Sequence, residues 1–130
     1  MKRTVLAILL AFGFLVSACG QDVSDFLWVE NNGEITITGY VGERTDVRIP
    51  RRINGMPVVS IGEGAFDGNR LTSVSIPNSV SHIGYRAFFD NRLTSITLPQ
   101  NVDIQPNSFY HIVYIKYNKK PIENTADIIP

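Results

Sequence analysis

Apolar residues fall along this chain in three different patterns. An unbroken apolar run, Val5 to Val16, follows Lys2 and Arg3. A polar stretch at 20–25 separates it from residues that alternate with period two, of which Ile35-Thr36-Ile37-Thr38 is the clearest. Such alternation places one side of a strand on a core and the other in solvent. Phe26 to Glu30 and Glu34 to Tyr40, joined by Asn31-Asn32-Gly33, therefore predict a β-hairpin whose turn tolerates positive φ. Val47-Arg48-Ile49-Pro50 predicts a strand stopped by proline, Ile53 to Pro57 a turn, and Val58 to Ile61 a further extended piece.

The third pattern is a repeat. Ile61 to Pro77 (IGEGAFDGNRLTSVSIP) recurs 22 positions later as Ile83 to Pro99 (IGYRAFFDNRLTSITLP), with ten of seventeen positions identical. Leu71, Val74 and Ile76 correspond to Leu93, Ile96 and Leu98, and Pro77 and Pro99 close the two strands. In each copy Ile-Gly begins a bend, Ala-Phe sits on a short helical or 3₁₀ turn, and Asn-Arg leads into the strand. A degenerate third copy runs from Leu98 through Val102, Ile104 and Ser108-Phe109 after a one-residue deletion. An extended copy runs upstream from Ile49-Pro50 to Ile61-Gly62, with about five residues inserted. A period in this range marks a solenoid, whose units bury their apolar sides only against one another. The expected fold is mainly β: a short solenoid with a parallel sheet on one face and short helical or 3₁₀ turns on the other. Its ends are atypical, as sealing against water requires. The hairpin forms the N-terminal cap, and Ile112 to Tyr117 a last strand with Lys116, Lys119 and Lys120 discouraging further pairing.

The motif Leu-Thr-Ser-Val-Ser-Ile-Pro-x-x-Val-x-x-Ile-Gly-x-x-Ala-Phe resembles the BspA-type (treponemal-class) leucine-rich repeat. Val47 to Pro50 and Ile53 to Val58 are similar to the entry segment of such repeats, and the resemblance covers roughly 34–110. It departs from the family pattern in repeat number and in carrying Asn69 and Asn91 where cysteine is often found. The resemblance implies a bacterial surface or secreted protein engaged in adhesion, with Thr72, Ser73, Ser75, Thr94, Ser95 and Thr97 on the binding face. Those residues either present a hydroxyl strip to a protein or glycan, or simply fill exposed strand positions with small β-favouring side chains.

The first apolar run changes the picture of where the protein resides. Twelve residues are short for ~30 Å of hydrocarbon but suit a signal-peptide core behind a positive n-region. Val16-Ser17-Ala18 precede the chain's single cysteine and resemble the lipobox of bacterial lipoproteins, in which Cys19 is acylated. An ordinary secretory signal cleaved near Ala18 is the alternative. Several acyl chains give stable membrane attachment where one is marginal, and Gly20 is compatible with an outer-membrane or surface destination. The expected organisation is a signal peptide at 1–18, a tether at 19–25, a hairpin cap at 26–45, repeats at 46–110, and a terminal strand and tail at 111–130.

Charge and composition then exclude whole classes. The chain has 12 basic and 12 acidic residues, and losing Lys2 and Arg3 with the leader leaves 10 against 12. No basic stripe remains to neutralise a run of phosphates, so nucleic acid is not an expected partner. His82 and His111 lie in different contexts, no Cys or carboxylate cluster has metal-ligand spacing, and no nucleophile elbow or phosphate loop is present. No enzyme activity, metal or cofactor is expected.

Among repeat positions, Phe66, Phe88 and Phe109 predict an aromatic column in the core, and Asn69 and Asn91 predict structural amides at a loop-to-strand junction. Arg70 and Arg92 stack one coil apart, near Asp67 and Asp90. They form either a solvated charge ladder or a contact for an anion or acidic partner. Four or five strands ~4.8 Å apart give a flat patch of only ~300 Å², below the ~800 Å² per partner of a standard interface. The module should bind weakly alone and gain from display in several copies, with weak self-association one route to that. The function expected is a lipid-anchored, non-catalytic adhesion or protein-binding module of the envelope. The alternative is a structural or assembly component with no host ligand.

Overall fold

The computed structural model describes residues 22–110 and 114–118. The expected signal peptide, Cys19 and the tail beyond residue 118 lie outside the described residues, as do residues 111–113 of the expected terminal strand.

After one 3₁₀ turn at Val23–Asp25, β1 (Phe26–Asn31) and β2 (Glu34–Tyr40) form the antiparallel hairpin. Asn32 and Gly33 turn it with φ of 52° and 78°, the pair of positive angles that matches strand twist. The described residues then wind into four coils through β3 (Asp46–Arg48), β4 (Arg52–Ile53), β5 (Met56–Ile61), β6 (Ser73–Ser75), β7 (His82–Ile83), β8 (Ser95–Leu98), β9 (Asp103–Ile104) and β10 (Tyr114–Tyr117).

Each coil has three sides. The first is the expected parallel sheet, with strand order β10-β8-β6-β3. The second is also a sheet: β2, β5, β7 and β9 pair in parallel, with β1 on its outer edge. The residues before each predicted Ile-Gly bend supply its strands, and the bend follows at Gly62 and Gly84. The third side carries the Ala-Phe segments, which stack as hydrogen-bonded turns. Ala65 and Ala87 donate to Gly62 and Gly84 at 3.2 Å in i→i+3 fashion. Helices do not develop here because the left-handed residues Gly64 and Gly68, and Arg86 and Asp90 one coil later, reverse the backbone at every turn. Coil-to-coil bonds, such as Phe66 N–H to Ala87 O (2.7 Å) and Phe88 N–H to Ser108 O (2.8 Å), satisfy the turns instead.

The extra residues of the first repeat form a tight antiparallel pair, β4 with β5, around Asn54-Gly55. The insertion thus leaves the solenoid path intact. Ile35, Ile37, Val58, Ile61, Ile83 and Leu98 are fully buried inside the coils. At the N-terminal end Phe26 and Tyr40 close over Phe66, with ring centroids 6.3 and 5.6 Å from it. In the last described coil Ser108 replaces the alanine of Ala65 and Ala87. It is buried, and its hydroxyl is within hydrogen-bond distance of the Gly84 and Gln105 carbonyls.

Candidate functional site

The first sheet carries the residues singled out above. Side chains alternate along its strands: Val47, Val74, Ile96 and Leu98 point into the core, while Asp46, Arg48, Ser73, Ser75, Ser95 and Thr97 are exposed. Parallel register aligns Arg48 with Ser75, Ser75 with Thr97, and Thr97 with Lys116. One row therefore reads cation, hydroxyl, hydroxyl, cation across four strands. Thr72 and Thr94 precede the strands and are also exposed. The hydroxyls are not equivalent. Ser73 Oγ donates to Asp46 Oδ1 at 2.6 Å and Thr72 Oγ1 to the Thr45 carbonyl at 3.2 Å. Ser75, Thr94, Ser95 and Thr97 form no side-chain hydrogen bond among the described residues. Arg48 and Lys116 were not among the binding residues expected from the sequence, although Arg48 holds the place in Val-Arg-Ile-Pro that Ser75 and Thr97 hold in the later copies.

Arg70 and Arg92 lie at the entry end of this sheet, in a groove of about 430 Å³. Gly42, Glu43 and Thr45 form one wall; Gly68, Asn69, Arg70 and Arg92 form the other. The first wall is held by main-chain bonds. Thr72 and Ser73 both donate to the Thr45 carbonyl, at 2.8 and 3.2 Å. Gly42 packs against the Tyr40 ring so closely that a Cβ there would collide with the phenol oxygen. The nearby aspartates do not serve these arginines. Asp67 instead pairs with Arg86 (Nη2 to Oδ2, 3.2 Å), whose guanidinium lies 4.1 Å from the centre of the Phe89 ring. Among the described residues neither Arg70 nor Arg92 forms an ion pair, so the ladder with Asp67 is absent.

The two asparagines part company. Asn91 is a clamp between coils: its Oδ1 accepts from Leu71 N–H at 2.9 Å, and its Nδ2 donates to the Phe66 and Phe89 carbonyls at 2.7 and 3.1 Å. Asn69 has a single long bond to the Asp67 carbonyl, 3.5 Å, and opens onto the groove. The coil before it has no matching turn to clamp. Phe66, Phe88 and Phe109 stack face to face with centroids 4.9 and 5.3 Å apart and ring planes 9° and 3° from parallel.

A family model described as the BspA type leucine rich repeat region matches residues 45–127, in 6 copies. The chain belongs to that family. Among solved structures, a leucine-rich repeat protein from Bacteroides capillosus superimposes with a TM-score of 0.56 at 22% identity, covering 76% of this chain and 98% of that one. A leucine rich cell surface protein from Faecalibacterium prausnitzii gives 0.54 at 29% identity, over 74% of this chain. This chain spans about a quarter of that protein, 26% of its length. A comparison with curated proteins finds no match. The BspA type repeat makes this chain a solenoid of the kind that serves as a surface or protein-binding module, a scaffold typically without catalysis.

Proposed function

We propose that this protein is a lipid-anchored adhesion module of the bacterial envelope, attached through Cys19 and binding protein or glycan on a host or neighbouring cell. The observation that carries the reading is the row Arg48–Ser75–Thr97–Lys116, a polar strip in register across four parallel strands above the buried Val47, Val74 and Ile96. Such a strip offers hydroxyl donors and acceptors between two cations, and it lacks the burial and the positioned acid–base pairs that catalysis requires. On this reading residues 1–18 are removed, 19–25 tether the module, 26–45 cap it and 46–110 form the repeat surface. Residues 111–130 complete its far end.

Two measurements test this. Cys19→Ser should abolish acyl-chain labelling and move the protein to the soluble fraction; unchanged membrane attachment would refute the anchor. Protease added to intact cells should cleave an outward-facing module. Full protection in intact cells, with cleavage after permeabilisation, would favour an envelope assembly component instead.

A further inference from the structure

We propose that the groove between the 42–45 segment and the Arg70 and Arg92 loops is a binding site for a carboxylate-bearing sugar, the uronic-acid type of residue found in acidic glycans. This deepens the adhesion reading above by naming a ligand class for the same side of the molecule.

Four observations converge on it. Arg70 and Arg92 occupy the same repeat position one coil apart, both line the groove, and no described carboxylate pairs with either. Like charges lining one groove repel, and an oxyanion between them relieves the repulsion while accepting charge-assisted bonds. Second, Arg70 has a φ of +56°, a left-handed conformation disfavoured for a long side chain, whereas Arg92 at the same repeat position does not. The repeat itself therefore does not impose that backbone. Arg86 and Asp90 adopt the same conformation as turn residues, so what sets Arg70 apart is its difference from Arg92 at the same repeat position.

Third, the remaining wall chemistry matches a sugar. Glu43 supplies an acceptor for hydroxyl donors, and Asn69 and Thr45 can both donate and accept. Fourth, the groove has no apolar lining residue, so a peptide would find no pocket for the buried aromatic or aliphatic anchors that dominate peptide binding. A volume near 430 Å³ is within the range of small-ligand sites.

The test is calorimetry on the purified full chain. The probe is a tetrasaccharide alternating glucuronic acid and N-acetylglucosamine, with the neutral N-acetylglucosamine tetramer, a tetraglutamate peptide and sodium acetate as comparators. The acidic sugar should bind at least tenfold more tightly than each comparator. Arg92→Gln should weaken it tenfold or more, Arg92→Lys by less, and Arg51→Gln, which removes the same charge elsewhere, by under twofold. Arg70→Asn guards against misfolding as an explanation. Asparagine tolerates positive φ, so that variant should keep or raise the melting temperature while losing the sugar.

Absence of binding, equal binding of the neutral tetramer, or an Arg51→Gln loss as large as that of Arg92→Gln would overturn the proposal. Tighter binding of tetraglutamate would make the groove a peptide site, and acetate competing at the sugar's own concentration would reduce it to a plain carboxylate site; either result also overturns it. Because this assay uses purified protein, its failure is separate from a failure of the envelope reading, which cell fractionation and shaving decide.

Discussion

Phe88 is 1% exposed and lies between two parallel rings, so it meets the column on both faces. Phe88→Ala should cost ~3–5 kcal/mol, measured by urea unfolding; an unaltered midpoint would disprove the column's role in stability. Asn91 and Asn69 offer a sharper comparison, because they occupy the same repeat position. Asn91→Ala leaves Leu71 N–H and the Phe66 carbonyl without their side-chain partner and should cost about 1–3 kcal/mol. Asn69→Ala removes only one long bond and should fall within about 0.5 kcal/mol of wild type. Equal losses in the two variants would show that the clamp is not what Asn91 contributes. The sequence put both residues at a structural junction, but it could not distinguish them. The difference depends on the preceding coil, which only Asn91 has in matching form.

Stacking of coils rests on close backbone approach as much as on side chains. A Cβ on Gly84 would lie 2.7 Å from the Glu63 amide nitrogen and 2.8 Å from the Gly62 carbonyl carbon. Both are main-chain atoms of the coil beneath, which cannot swing aside as a flexible side chain would. Gly84→Ala should therefore force neighbouring coils apart, at a cost of about 1–3 kcal/mol, seen as a lowered melting temperature. A melt matching wild type would mean that the coils are not held at this spacing. Hairpin, strands and solenoid path were all readable from period-two alternation and the 22-residue repeat. The second parallel sheet was less so, because β7 and β9 have two residues each and give almost no periodic signal. They exist as strands because the coils above and below supply the hydrogen bonds. Turns in place of helices on the third side follow from left-handed residues, two of which, Arg86 and Asp90, do not announce themselves in sequence as glycine does.

With four short strands, the exposed sheet offers on the order of 200 Å². An isolated molecule should bind weakly through it, and a lipid anchor would set many copies side by side. Displaying the module on liposomes should raise its apparent affinity for a multivalent target by roughly 10²–10⁴ over the monomer. A binding curve unchanged by surface density would contradict adhesion by multiple weak contacts. The Phe26–Tyr40–Phe66 cluster shows how the N-terminal end of so small a stack is sealed. The hairpin both supplies two strands, β1 and β2, to the second sheet and lays two rings over the aromatic column.

Periodicity alone determined that this chain is a stack of like units, which faces of its strands are buried, and which side chains recur in columns. A repeat reports its own geometry, since every copy must present the same apolar edge to the next. Tertiary structure decided what lies between non-equivalent segments. The Arg70–Arg92 groove needs the 42–45 loop as its second wall, and that loop belongs to no repeat. Asp67 turned to Arg86, and the cationic row was completed by Arg48 and Lys116 from opposite ends of the sheet. Partners such as these are set by distance in space, which a period along the chain does not encode.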